Sequence, residues 1–146
     1  MSYYISNKEI DVIVVTYNRL PLLKECLNAL IVQKENIDKI FVIDNNSTDE
    51  TSAFLKGLRG NSIFYVKRLT KNIGGAAGFE MGVQIAMNKG NGNYIWIMDD
   101  DTIPSKDASK YLLSAADYLN NQFGFLCSNV RLQNGEAANV PNVYLE

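Results

Sequence analysis

Four short apolar runs constrain this chain more than anything else in it. Each is followed at once by a polar cluster, and stretches with helical spacing lie between them. The runs are IDVIVVT at 10–16, a segment at about 39–43, another at 63–66, and YIWIM at 94–98. The first is rich in β-branched residues and the last is continuously hydrophobic, the pattern of strands buried on both faces. Between the first two, Pro21 sits where a helix tolerates a missing N–H. Leu22, Leu23, Cys26, Leu27, Leu30 and Ile31 then form one apolar stripe. After the second run, residues 47–50 offer helix caps and N-terminal carboxylates, and Phe54, Leu55 and Leu58 supply an apolar face. A glycine-rich turn at 72–78 leads into a third helix ending near Asn88. Pro104 and Ser105 open a fourth, with Tyr111, Leu112, Ala115, Ala116 and Leu119 on one side, and 123–127 reads as a fifth strand. From Arg131 onward the composition turns polar and no element is assigned.

Strands alternating with helices define an α/β class, Rossmann-like, with a mainly parallel sheet flanked by helices. Right-handed crossovers place the first three strands in order to one side. A fourth strand returning beside the first creates a topological switch, and ligands of open α/β sheets bind there, at the carboxyl ends of the strands.

Composition narrows the chemistry. The chain has 146 residues, which suits one domain with a real core. Its net charge of -2 gives no electrostatic case for nucleic acid or an anionic membrane, so an anion must be captured locally by backbone amides or a metal. No histidine occurs, which removes Ser-His-Asp and Cys-His catalysis, His-ligated zinc and a His general base. The two cysteines, Cys26 and Cys127, match no metal-ligand spacing and read as reduced, buried thiols. The start is interrupted by Lys8, Glu9 and Asp11, unlike a signal peptide, and no run approaches the ~20 apolar residues of a membrane helix. The expectation is a cytoplasmic protein, with the inner face of the membrane as the alternative location.

Four polar clusters follow the four strands and lie on one edge of a parallel sheet. They are Thr16-Tyr17-Asn18-Arg19, Asp44-Asn45-Asn46-Ser47, Lys71-Asn72-Ile73-Gly74-Gly75 and Asp99-Asp100-Asp101. Their coincidence is the main argument for a site. Three adjacent carboxylates repel one another, and a hard divalent cation such as Mg²⁺ or Mn²⁺ removes that cost with oxygen ligands. Alternation along an extended segment puts Asp99 and Asp101 on one side and Asp100 on the other, so Asp99 and Asp101 are the expected metal ligands, Asp101 the more direct; the alternative is a solvated acidic turn capping the next helix. Backbone at Tyr17, Asn18 and Arg19 could hold a nucleotide base, with Tyr17 stacking on it, or could equally be a turn leading into the helix. Asp44 and Asn45 have the groups to pair with the N–H and C=O edge of a pyrimidine, although residues 46–49 read better as an Asx turn and helix cap. Gly74, Gly75 and Gly78 permit close backbone approach. The turn is neither a G-x-x-x-x-G-K-[ST] phosphate loop nor the dinucleotide fingerprint, which should follow the first strand.

With these segments in place, the chain resembles a family 2 glycosyltransferase of the GT-A fold. The resemblance runs from about Ile10 to Pro104 and rests on VIVVTYNR at 12–19, VIDNNSTDET at 42–51, KNIGGAAGFEMG at 71–82 and YIWIMDDDTIP at 94–104. NIGGAAGF with the acidic triplet is most similar to the galactofuranosyl- and rhamnosyltransferase-like branch. The resemblance implies a UDP- or dTDP-sugar donor, Mg²⁺ or Mn²⁺, and inverting transfer to a glycan or lipid-linked acceptor. It implies sugar-nucleotide contacts from Thr16, Tyr17, Asn18, Arg19, Asp44, Asn45, Lys71, Asn72, Gly74, Gly75, Asp99 and Asp100.

Two departures stand out. Many members have Asp where Asn45 stands, and many have an Arg in the glycine-rich segment where this chain has Gly78-Phe79. Arg19, Lys71 and Arg68 are the candidates to fill that role. Asp107, Asp117 and Glu136 match no base motif of the family, so no catalytic base is assigned. The expectation is one donor-binding domain over 1–146, cut before the acceptor half. The rivals are a non-catalytic sugar-nucleotide-binding or assembly module and a phosphatase of the haloacid dehalogenase type built on Asp99-x-Asp101.

Overall fold

The computed structural model describes residues 10–132 and 134–138. The elements, in chain order, are β1 (Ile10–Thr16), α1 (Leu20–Ile31), β2 (Ile37–Asp44), α2 (Thr51–Leu58), β3 (Phe64–Arg68), α3 (Gly75–Lys89), β4 (Tyr94–Asp99) and α4 (Ala108–Tyr118). The four strands form one parallel sheet in the order β3-β2-β1-β4. The fourth strand does return beside the first, so the switch lies between β1 and β4. Together with its flanking helices the sheet is an α/β architecture of the class expected.

β1 and β2 carry the core. Val12, Ile13, Val14, Ile40, Phe41, Val42 and Ile43 are completely buried, as continuous apolar strands in the middle of a parallel sheet must be. Register pairs Val14 with Met98 across β1 and β4. The Cys26 thiol lies 3.9 Å from the Met98 sulfur, so α1 covers that face with its buried stripe of Leu23, Cys26, Leu27 and Leu30. On the opposite face Ile13, Val15, Phe41 and Ile43 join Leu69 and Ala86 in a cluster flanked by Phe79, Val83 and Ile85 of α3.

The seat of α3 on this face is unusually close because of two glycines one turn apart. A Cβ at Gly82 would stand 2.4 Å from the Ile13 Cγ2, and one at Gly78 would stand 2.9 Å from the Val15 Cγ1. Only a residue without a side chain lets the helix backbone approach β1 this way. The approach fixes where the N-terminus of α3 meets the strand ends.

Three expectations are corrected. β4 is half-exposed, with Ile95 39% and Ile97 55% accessible: among the described strands it is an edge, and α3 packs over β1 and β2 beside it. Continuous hydrophobicity does not by itself report burial on both faces. The run at 123–127 forms no strand among the described residues, and Phe125 is exposed. An apolar run becomes a strand only where a partner offers a ladder. The fourth helix begins at Ala108 and not at Pro104. Its first turn is held where the Ser109 N–H donates to the Gln33 side-chain oxygen at 2.8 Å and Asn36 donates to the Ser109 hydroxyl at 3.0 Å.

Residues 110 onward form a second compact unit. It contains the remainder of α4, a turn with Asn120 and Asn121 at positive φ, and one antiparallel bridge between Arg131 and Ala137. No helix among the described residues is long and apolar enough to cross a membrane.

Candidate functional site

The carboxyl ends of β1, β2 and β4 converge with the loop before α3 around a cleft of ≈ 270 Å³. β1 contributes Val15 and Thr16, with Tyr17 and Arg19 just beyond it; β2 contributes Asn45. The loop contributes Asn72, Gly74 and Gly75, and the β4 end contributes Asp99 and Asp100. Nine residues expected from sequence thus meet at one place. Asn18, Asp44, Lys71 and Asp101 do not line the cleft. Val15 lines it without having been singled out, since nothing distinguishes it from the other β-branched residues of its strand.

The acidic triplet is divided by burial. β4 ends at Asp99, and the Thr102 N–H donates to the Asp99 carbonyl at 3.1 Å, so Asp100 and Asp101 occupy a turn. Strict alternation across the three carboxylates does not hold, because the extended backbone that it requires stops at the first of them. Asp100 is 3% exposed and accepts from the Thr16 hydroxyl at 2.7 Å. Burial pushes the Asp100 carboxyl above its ordinary range, against the opposing pull of the Thr16 hydrogen bond and of Arg19. Asp101 is half-exposed and pairs with Arg19 at 3.0 Å; the same guanidinium nitrogen stands 3.5 Å from Asp100. Asp99 is exposed. The triplet therefore comprises one anchored carboxylate, one neutralised by a solvent-facing arginine, and one open to solvent.

The loops behind the cleft are stitched together by side chains. Asn18 and Asn46 both take positive φ, a conformation that asparagine tolerates. The Asn18 side-chain oxygen accepts from the backbone N–H groups of Thr48 at 2.7 Å and Asp49 at 3.3 Å, and the Asn18 N–H donates to the Ser47 hydroxyl at 3.0 Å. One Asp44 oxygen accepts from the Ser47 N–H at 2.7 Å; the other is buried beside Arg68 at 3.7 Å. Arg68 also donates to the Ser47 carbonyl at 2.9 Å. Asp44 and Arg68 thus hold the loop after β2, in keeping with the Asx-turn reading of that segment, and Arg68 does not line the cleft. Ser47 links Asn18 to Asp44, a role for which its sequence gave no sign beyond its place in a polar cluster.

Asn45 is buried with both ends of its amide engaged. Its oxygen accepts from the Ile73 N–H at 2.9 Å, and its nitrogen donates to the Gly74 carbonyl at 3.1 Å. Gly74 itself has φ 84 and ψ 165, a conformation essentially reserved for glycine, and it precedes the first residue of α3.

The donor chemistry suits a hard cation shared with a ligand. Asp99 and Asp101 are accessible, oxygen-only donors, and Mg²⁺-type sites commonly use one or two carboxylates plus substrate phosphates. Among the described residues no group of three or more His, Cys, Asp or Glu is placed to hold an ion alone. The remaining ligands would have to come from a bound diphosphate and water.

Residues 11–140 match the family model of Glycosyl transferase family 2. The chain belongs to that family. Over 93 residues it is 33% identical to Galactofuranosyltransferase GlfT1 of Mycolicibacterium smegmatis, a match covering 64% of this chain and 30% of that protein. Its fold matches S. aureus TarS 1-349 in complex with UDP-GlcNAc at a TM-score of 0.65, with 23% identity, covering 87% of this chain and 41% of that one. It also matches the mannosyltransferase PcManGT from Pyrobaculum calidifontis in complex with GDP-Man and Mn²⁺, at a TM-score of 0.62 with 23% identity, covering 74% and 32% of the two chains. The chain spans less than half the length of each of these relatives. The family expected from the four motifs is thus borne out, and so is the GT-A architecture.

Proposed function

We propose that this chain is the donor-binding part of a glycosyltransferase. It takes a UDP- or dTDP-sugar into the cleft at the ends of β1, β2 and β4, with Mg²⁺ or Mn²⁺ held by Asp99 and Asp101. The observation that carries this reading is the meeting of Tyr17, the Gly74-Gly75 loop, Asp99 and Asp100 around one cleft at the switch point, with Asp101 next in the chain. Tyr17, 42% exposed, offers a ring for a base to stack on. Gly74 and Gly75 admit a ligand close to the backbone at the start of α3, where N–H groups lack intrahelical partners. Sugar nucleotides bound to TarS and to PcManGT support the ligand class, and Mn²⁺ in the latter supports the ion.

In the reaction proposed, the hydroxyl oxygen of a glycan or lipid-linked acceptor forms the new bond at the anomeric carbon with inversion as the bond to the nucleoside diphosphate breaks, and the hydroxyl proton passes to a general base that is not assigned in this chain. A bound divalent ion would supply stabilisation of the charge on the departing diphosphate. The residues of this chain orient the donor: Thr16 fixes Asp100, Arg19 balances the acidic turn, and the glycine loop shapes the diphosphate end of the cleft.

The decisive experiment is calorimetric titration of UDP and dTDP into the protein with and without Mn²⁺. Binding that requires Mn²⁺ and disappears in Asp101→Ala is the expected result. The donor-site reading fails if neither nucleotide binds in the presence of the metal.

A further inference from the structure

We infer that Asn45 is a positioning residue that clamps the glycine-rich loop onto the end of β2, and that it does not read the edge of the nucleotide base. The inference rests on the sugar-nucleotide reading above and concerns how that same cleft keeps its shape.

Three segments of the cleft wall meet at this one residue. The Asn45 backbone N–H donates to the Thr16 carbonyl at 2.9 Å, tying it to the end of β1. Its side-chain oxygen and nitrogen bind Ile73 and Gly74 of the loop at 2.9 and 3.1 Å. Only 3% of the residue is exposed, so little of the amide is left to face a ligand. Asp44 offers no substitute, since one of its oxygens holds the Ser47 N–H and the other is buried beside Arg68.

The loop needs such a clamp. Gly74 and Gly75 have no side chains to anchor them, and Gly74 occupies a backbone region of high conformational freedom. Asn72 closes a local turn by accepting from the Gly74 N–H at 2.9 Å, but that contact stays within the loop. The Asn45 pair hydrogen-bonds the loop to the end of β2, beside the apolar contact that Ile73 makes with the core cluster of β1 and β2. The Gly74 carbonyl that Asn45 contacts also accepts from the Gly78 N–H at 3.1 Å, the first bond of α3. The clamp thus sets the starting point of the helix along with the loop.

An amide is the chemical group this geometry asks for. It must accept from an N–H at one end and donate to a C=O at the other. An aspartate keeps the first contact and turns a carboxylate oxygen against the Gly74 carbonyl. The base edge would then be met by something other than the side chains that end β2, and discrimination among nucleobases should not depend on Asn45.

The test is a comparison of UDP and CDP, whose base edges exchange donor for acceptor. Both are titrated with Mn²⁺ into the wild type, Asn45→Ala and Asn45→Asp, and amide exchange at Ile73 is measured on the same proteins without nucleotide. Faster exchange at Ile73 in Asn45→Ala is expected. Affinity for both nucleotides should fall by the same factor, roughly tenfold for two lost hydrogen bonds. Asn45→Asp should retain the Ile73 protection, lose part of the affinity, and leave the UDP-to-CDP ratio unchanged. A ratio that shifts tenfold in Asn45→Asp with Ile73 still protected would overturn the inference in favour of base reading. Unchanged Ile73 exchange in Asn45→Ala would overturn the clamp. If the wild type binds neither nucleotide, the donor reading fails separately, and the exchange of Ile73 alone decides whether the clamp exists.

Discussion

The Thr16 hydroxyl donates to the buried Asp100 carboxylate at 2.7 Å, joining the ends of β1 and β4 across 84 positions of sequence. Removal of the donor leaves a desolvated carboxylate with its hydrogen bond unmade. Thr16→Val should therefore lower stability by about 1–3 kcal/mol, and Thr16→Ser should restore most of it. Urea unfolding of the three proteins at neutral pH checks this. A Val variant as stable as the wild type would show that the contact contributes nothing.

Arg19 stands between two carboxylates, 3.0 Å from Asp101 and 3.5 Å from Asp100, and is itself half-exposed. Exposed pairs of this kind add little to stability, so Arg19→Met should unfold at the same denaturant concentration as the wild type. Its effect should fall on the cation. With the guanidinium gone, Mn²⁺ added alone should bind the acidic turn more tightly, as measured by calorimetry or water proton relaxation. Weaker or equal Mn²⁺ binding would mean that Arg19 does not compete for Asp101.

Asp11 lies on β1 at the end of the sheet away from the cleft, 2% exposed, with one oxygen accepting from the Gly92 N–H at 2.9 Å and the other unpartnered. Burial raises its pKa above the ordinary value of 3.8, outweighing the Gly92 hydrogen bond. The folded state thus holds its proton more tightly than the unfolded chain does. Stability from this group is full below the unfolded pKa and is lost as pH rises through the raised folded pKa. Asp11→Asn removes the titration and keeps an acceptor for Gly92. Its stability relative to the wild type should be greater at pH 7 than at pH 3.5, read as the difference in urea midpoint. A difference independent of pH would refute the assignment.

Gly82 leaves no room for a methyl group, since its Cβ would sit 2.4 Å from the Ile13 Cγ2. Gly82→Ala should destabilise by about 1–3 kcal/mol through overpacking. The effect should shrink when Ile13→Ala is also present, because the two sites then no longer collide. A thermodynamic cycle over the four proteins measures the coupling, and strict additivity would rule the contact out.

Much of the site was legible because its parts end strands. Asp99, Thr16 and Asn45 each follow a run whose β-branched or apolar character marks it as a strand, and a parallel sheet delivers such ends to one edge. The strand order followed from handedness and from the expected return of YIWIM beside IDVIVVT. What sequence could not supply is the partner of each group. Nothing in DNNS tells that the Asn45 amide is met by backbone 28 or 29 positions further on. Nothing in DDD tells that a turn begins at the second carboxylate and hides it under Thr16. The segment at 123–127 and the half-exposed Ile97 err for the same reason, since pairing and cover depend on the rest of the chain. Of the two cysteines read as buried, Cys26 is buried, and burial, reinforced by Asp100 and Asp101, pushes its thiol up to about 12; Cys127 is exposed, in the segment that forms no strand.

The strand order β3-β2-β1-β4 also imposes a timetable on synthesis. Of the described strands the first to be synthesised is a central one, and β2 and β3 can be laid against it in turn as they emerge. Its other edge must wait for Tyr94–Asp99, with α3 made in between. Until then Val12, Val14 and their neighbours have an unsatisfied flank, a template for wrong pairing in a nascent chain. The arrival of β4 closes that flank and brings Asp100 to Thr16 in the same step. Among the described strands the cleft is consequently completed last, when β4 joins the sheet.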